Sequence, residues 1–230
     1  MSFLGFSDDT LDFLADLTIH NDKEWFEANR DRYRDVVLAP AVDFVVAVGE
    51  GLQQRIPDIR FDTRTNGSGS LMRIHRDTRF SKDKSPYKTS VSGMWWQGDG
   101  KKMNRPGFGF QLEESGLRLM GGMFGFDKPQ LAAYRRAVDN VTTGGELQQL
   151  VDRVEASPGW EVVGEHYKRI PPGYDAQHSR QRLLRFNSLY AHPTEPVDPE
   201  VICSPELLPT VLDVFDQAAP LQQWLVKMLT

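Results

Sequence analysis

A single cysteine, Cys203, is all the thiol chemistry the chain has. No internal disulfide can form, which fits a reducing compartment. Nor does any apolar stretch approach the roughly 20 residues that cross a bilayer. The opening residues, Met1 to Asp9, have neither a basic region nor a long apolar run, so no secretory signal is expected. His20, His75, His166, His178 and His192 are scattered, with no H-x-x-x-H and no Cys/His spacing, so no metal site is expected. Internal repeats, low-complexity tracts and interdomain linkers are missing as well. These absences predict a cytoplasmic protein with no membrane partner, read as one domain over residues 1–230. The composition present, 40% hydrophobic and 26% charged, is ordinary for a chain able to bury a sizeable core.

The apolar periodicity divides the chain into helices, then strands, then helices. Ser7 is placed to cap a first helix carrying Leu11, Leu14 and Leu17. Asn21 followed by Glu24 reads as a capping box for a second, with Trp25, Phe26 and Tyr33 on its apolar face. Pro40 suits the first turn of a third, with Phe44, Val45, Val48 and Leu52 inward. Residues 58–70, with Asn66-Gly67-Ser68-Gly69-Ser70, read as a flexible loop. They lack the Gly-Lys-Ser/Thr ending of a phosphate-binding loop.

From Leu71 the period falls towards two. Leu71 to His75 and Val91 to Gln97 are expected as strands, with Asp77 to Tyr87 as the loop between them. Phe108, Phe110 and Leu112, then Leu117 and Leu119, alternate around short turns, which implies antiparallel pairing. Asp127 with Pro129 starts a further helix, and Thr143 with Glu146 resembles a capping box for the next. Trp160 to Val163 and Lys168 to Ile170 read as short strands, Pro171-Pro172-Gly173 as a turn, and Ser179 to Phe186 as a short helix. Ser204-Pro205 opens a C-terminal helix that Pro220 breaks or restarts. The fold class expected is α+β: a central, mainly antiparallel sheet with helices packed around it and helical segments at both ends.

One stretch stands apart. Residues 73–88 carry six cations (Arg73, Arg76, Arg79, Lys82, Lys84 and Lys88) against Asp77 and Asp83, a local balance of +4. The whole chain is −5, so the remainder sums to −9. A positive island on an acidic protein points to an approaching anion. Guanidinium groups hold phosphate or carboxylate through two parallel hydrogen bonds, and the hydroxyls of Ser81, Ser85, Tyr87 and Thr89 add donors. Asp77, flanked by Arg76 and Arg79, is expected to stay ionised, suiting it to orient an arginine or hold a metal rather than donate a proton. With His75, Tyr87 and His178 it is a catalytic candidate. His75 and Tyr87 are the candidate proton carriers within the stretch.

The run Arg73 to Thr89, R-x-x-R-D-x-R-F-S-K-D-K-S-P-Y-K-T, resembles the signature of DUF2461, a family of conserved hypothetical proteins. Asn21 to Phe26 with Asn29, Arg30, Tyr33 and Pro40 resembles its N-terminal block, and Gly121-Gly122-Met123 its glycine turn. Lys168 to Asp175 with His178 resembles its C-terminal block. The resemblance covers nearly the whole chain and brings no activity or cofactor with it. It does mark a second polar cluster, in which Lys168 and Arg169 are candidate ligand-binding residues and His178 a further candidate proton carrier. The two family segments, both polar, are expected to share one cleft.

Three readings follow. In the first, the protein binds or transforms a small phosphate- or carboxylate-bearing ligand. The second is a nucleic-acid-associated module, disfavoured by a pI near 5.6. The third is a protein-interaction or structural domain whose motif is an internal ion-pair network.

Overall fold

Ser7 stands at the N-cap of the first helix, α1 (Asp8–Ile19), its hydroxyl 3.3 Å from that of Thr10. Phe13, Leu14 and Leu17 turn its apolar stripe inward. In this computed structural model, which describes residues 3–230, helix α2 (Lys23–Ala28) is capped by Asp22, whose carboxylate accepts from Trp25 N–H at 2.9 Å. The expected capping box therefore slips by one residue, and Asn21 is released for another task. A third helical stretch does not begin at Pro40. Short α3 (Arg30–Arg32) runs through a π-helical segment (Tyr33–Leu38) into α4 (Ala39–Gln53).

That wider turn has an identifiable cause. Pro40 has no N–H for the carbonyl four residues back, that of Val36. The hydroxyl of Thr10, wholly buried, donates to it instead at 2.6 Å. Thr10→Val leaves this carbonyl bare in the interior. The expected cost is about 2 kcal/mol, read as a fall in Tm of about 4–8 °C in a chain of this size.

The sheet has six strands in the order β1-β2-β3-β4-β6-β5: β1 (Ile59–Arg60), β2 (Val91–Gln97), β3 (Gly107–Glu113), β4 (Gly116–Met123), β5 (Trp160–Glu165) and β6 (Phe186–Pro193). It is antiparallel, and with 45% helix and 18% strand the fold is α+β, as the periodicity predicts. The remaining helices are α5 (Lys128–Asp139), α6 (Val141–Glu155), α7 (Gln181–Leu184), α8 (Pro199–Ile202) and α9 (Leu207–Leu229).

Several expectations need correction. Asn140, not Thr143, caps α6, its side-chain oxygen accepting from Thr142 and Thr143 N–H. Lys168 to Ile170 is not a strand. Strand β6 goes unseen in the sequence, because pairing with β5 shifts register between Val163 and Glu165. Phe186 and Leu189 are both buried at a spacing of three, so no alternation shows. Pro220 lies inside a continuous α9. It removes one helical hydrogen bond, and the burial of Phe215, Ala218, Leu221, Trp224 and Leu225 carries the helix through it.

The chain divides into two compact units. One comprises the chain up to Trp95, Gly109–Leu119 and Pro196–Leu212; the other comprises Trp96–Phe108, Met120–Glu195 and the chain from Asp213. The core of the first is an aromatic trio. Phe44, Trp95 and Phe110 have ring centroids 5.1–5.9 Å apart, and the Trp95 indole N–H donates to Val45 O at 2.9 Å. The core of the second centres on Tyr134, fully buried with its hydroxyl donating to Leu183 O at 3.1 Å. Phe126 stacks on its ring at 4.7 Å. Among the described residues, no helix is long and apolar enough to cross a membrane.

Candidate functional site

The basic stretch is built as an irregular hairpin within the first unit. Met94 N–H donates to Ser70 O, Met72 N–H to Ser92 O, Lys88 N–H to Ile74 O and Arg76 N–H to Pro86 O. Leu71 and His75 bridge to Gly93 and Tyr87 respectively, so Leu71 to His75 is extended without forming a regular strand. The charged segment 77–85 is the loop at the far end.

The loop's base is held by a residue far away in sequence. The amide of Asn21 donates to Tyr87 O and accepts from Tyr87 N–H, both at 3.1 Å, as a neighbouring strand would. The Tyr87 ring stacks on Phe26 at 4.0 Å and lies 5.2 Å from the His75 ring. Tyr87 is 3% exposed, and burial first, then the charge of Glu27, pushes its hydroxyl above the usual tyrosine range. It remains a phenol at neutral pH.

Inside the loop, cations and carboxylates pair off. Asp77 takes the Arg79 guanidinium in a two-pronged bond of 2.9 and 2.6 Å, which holds its carboxyl below the usual range, as its flanking arginines predict. Asp83 accepts from the hydroxyl and N–H of Ser85 and from Arg76, and these bonds lower its pKa further still. Lys84 Nζ donates to Thr78 O at 2.9 Å, and Lys82 is exposed.

An open cleft of about 550 Å³ lies beside the hairpin, lined by Gly67, Met72, Arg73, His75, Arg76, Asp77, Arg79 and Lys88. Among the described residues, the Arg73 guanidinium makes no hydrogen bond or ion pair. Its charge is nonetheless felt: the Lys88 ammonium is pushed below the ordinary lysine value, by burial first and by Arg73 second. Two cations thus face the cleft without a compensating carboxylate bonded to either.

Residues 58–70, expected to be a flexible loop, are shaped for this wall. Ile59–Arg60 forms β1, and Asp62 and Ser70 close the rest through two hydrogen bonds, 2.7 and 3.0 Å. Gly67, at φ +86°, leaves room for the Arg73 stem; a Cβ there would stand 2.5 Å from Arg73 Cγ.

The second cluster lies in the second unit. Lys168 and Arg169 are exposed. The His178 Nδ1 accepts from Arg180 N–H at 2.9 Å, leaving Nε2 to face Asp139 at 3.4 Å. Arg180 donates to the carbonyls of Val138, Asp139 and Asn140, closing the end of α5. His178, the family-block residue, thus orients the arginine that terminates α5. Cys203, beside the N-terminal turn of α9, is not activated: burial, then Asp8, pushes its thiol up to about 11. Among the described residues, no group of three or more His, Cys, Asp and Glu is placed to hold a metal ion.

A family model described as "Conserved hypothetical protein (DUF2461)" matches residues 9–224 of the 230. The chain belongs to the DUF2461 family. The matched residues of this DUF2461 protein include Asn21, the 73–88 stretch and Arg180. Among curated proteins, none matches the chain.

Sequence reasoning missed Asn21 as a clamp, and Gly67 and Met72 as cleft walls. A signal for Asn21 was present: two candidate caps, Asn21 and Asp22, stand before one helix, and a helix uses one.

Proposed function

We propose that this DUF2461 protein binds an anionic ligand, bearing phosphate or carboxylate, in the cleft lined by Arg73, His75, Arg76, Arg79 and Lys88. One observation carries the reading: Arg73 and Lys88 line the same cleft, and among the described residues Arg73 makes no hydrogen bond or ion pair, while burial first and Arg73 second lower the Lys88 ammonium. Like charges held together in the free protein are relieved by an anion between them. Arg76 and Arg79, already paired with Asp83 and Asp77, fix the loop's shape. The lone cysteine supports a reducing, cytoplasmic setting.

A second reading, a structural ion-pair network, draws on those same two pairs. Thermal unfolding separates the two readings. Phosphate, sugar phosphates and dicarboxylates are added to wild type and to Arg73→Ala, with and without divalent metal. Ligand at about a hundred times its Kd stabilises by roughly 2.7 kcal/mol, a shift of about 5–10 °C. A shift for one ligand class, lost in Arg73→Ala, is the expected result. If no anion shifts wild type, and Arg76→Ala and Arg79→Ala simply melt earlier, the network is structural.

A further inference from the structure

Resting on the anion-binding reading of this cleft, we infer that the anion is the phosphate of a nucleotide whose base stacks on Phe80. Phe80 is 95% exposed, the most of any large apolar residue described, ahead of Val141 at 83%. It sits in a tight turn closed by Ser81 N–H to Thr78 O at 3.4 Å, the apex of the basic loop. The Arg79 guanidinium, which lines the cleft, lies 5.9 Å from the Phe80 ring centroid. From the cleft outward the order is unpaired cations, then a planar guanidinium, then a bare ring. A nucleotide presents the matching order, phosphate then base, and aromatic rings accept bases of every kind because each has a π-face.

The ring is held ready. Lys84 on Thr78 O, the Asp77–Arg79 fork and Asp83 on Ser85 fix the turn before any ligand arrives, so little ordering cost is left for binding. The cleft, at about 550 Å³, falls within the roughly 300–1,000 Å³ of small-molecule sites. A lipid surface fits less well. The other exposed large apolar residues, Leu4, Ile19, Met103, Val141 and Tyr167, belong to other segments, so the apex offers one ring. A chain of net charge −5 is also repelled overall by anionic lipid.

The same chemistry is offered by a free nucleotide and by the 5′-phosphorylated end of a single strand. Titration calorimetry on the full chain distinguishes them, using inorganic phosphate, ribose 5-phosphate, adenosine 5′-monophosphate, and a short oligodeoxythymidine with and without its 5′-phosphate. The nucleotide is expected to bind roughly 10-fold tighter than ribose 5-phosphate. Phe80→Ala removes that difference and leaves the ribose 5-phosphate affinity in place, whereas Arg73→Ala weakens both. Tighter binding of the phosphorylated strand than of the mononucleotide assigns the strand end as the source. Equal affinities for nucleotide and ribose 5-phosphate, or a Phe80→Ala variant that still prefers the nucleotide, overturn the stacking. If no phosphate-bearing probe binds, the anion-binding reading falls and takes this inference with it. Phosphatidylserine vesicles that bind wild type but not Phe80→Ala, with no nucleotide preference, assign the ring to a lipid surface instead.

Discussion

Trp95→Ala is expected to destabilise the protein by about 3–5 kcal/mol, the range for emptying a large aromatic from a core. The side chain is wholly buried between Phe44 and Phe110, and its N–H is tied to Val45 O on α4. Neighbouring packing cannot close the void easily, because Gly93 already lies so near Phe110 that a Cβ would stand 2.6 Å from its ring. In a chain of this size the loss appears as a fall in Tm of about 10 °C or more. Trp95→Phe keeps most of the volume and costs less, since Val45 O retains its place in the helix. Trp96→Ala, at a half-buried position, is the internal control. Equal costs at 95 and 96, by thermal or denaturant unfolding, would show that the trio is not the centre of this core.

Arg73→Ala is expected to lower anion affinity about 10- to 100-fold, the worth of charge-assisted hydrogen bonds. It is expected to leave the Tm of the free protein within about 0.5 kcal/mol equivalent of wild type, as for surface positions outside any bonded network. The substitution removes no bond and relieves Lys88. Arg73→Lys restores charge without the planar fork, so its affinity should fall between the two.

The pH dependence has a definite sign. In the folded protein the Lys88 pKa is depressed, so between that value and the ordinary lysine value the unfolded chain binds more protons. The penalty of burying the ammonium, and of holding it beside Arg73, is full below the folded value and gone above the ordinary one, so this contribution to stability rises with pH. Anion binding works the other way. The bound anion favours charged Lys88, so affinity falls as pH rises through the free-site pKa, and binding takes up protons there. Calorimetry in two buffers of different ionisation enthalpy reads that uptake, which Lys88→Met abolishes. Proton uptake that persists in Lys88→Met would place the titrating group elsewhere.

The sequence made the antiparallel centre legible because Phe108, Phe110 and Leu112 keep their phase through β3. It hid β6 because a register shift breaks the phase between Phe186 and Leu189. Helix starts were legible at Ser7 and Asp127 and to within a residue at Asn21 and Asp22, but the α6 cap lay three residues before the expected Thr143, at Asn140. For the site, the charge run itself was readable. Which charges cancel was not, because pairing is a matter of folded geometry: Arg79 reaches back two residues to Asp77, Arg76 forward seven to Asp83, and Arg73 bonds to neither, though its charge also helps hold Asp77 ionised. The clamp was further out of reach, joining residues 66 positions apart.

That clamp separates two kinds of inheritance in the chain. Because one asparagine amide stands in for a missing strand at Tyr87, the hairpin is rooted in the helical layer below its charged tip. From Asp77 to Ser85 the side-chain bonds are internal to the segment, apart from Arg76 on Asp83. Residues at the apex, Phe80 and Lys82 among them, can change without any compensating change in the aromatic core. The apex is therefore mechanically uncoupled from the core, while a change at Asn21 or Tyr87 is felt by the whole hairpin.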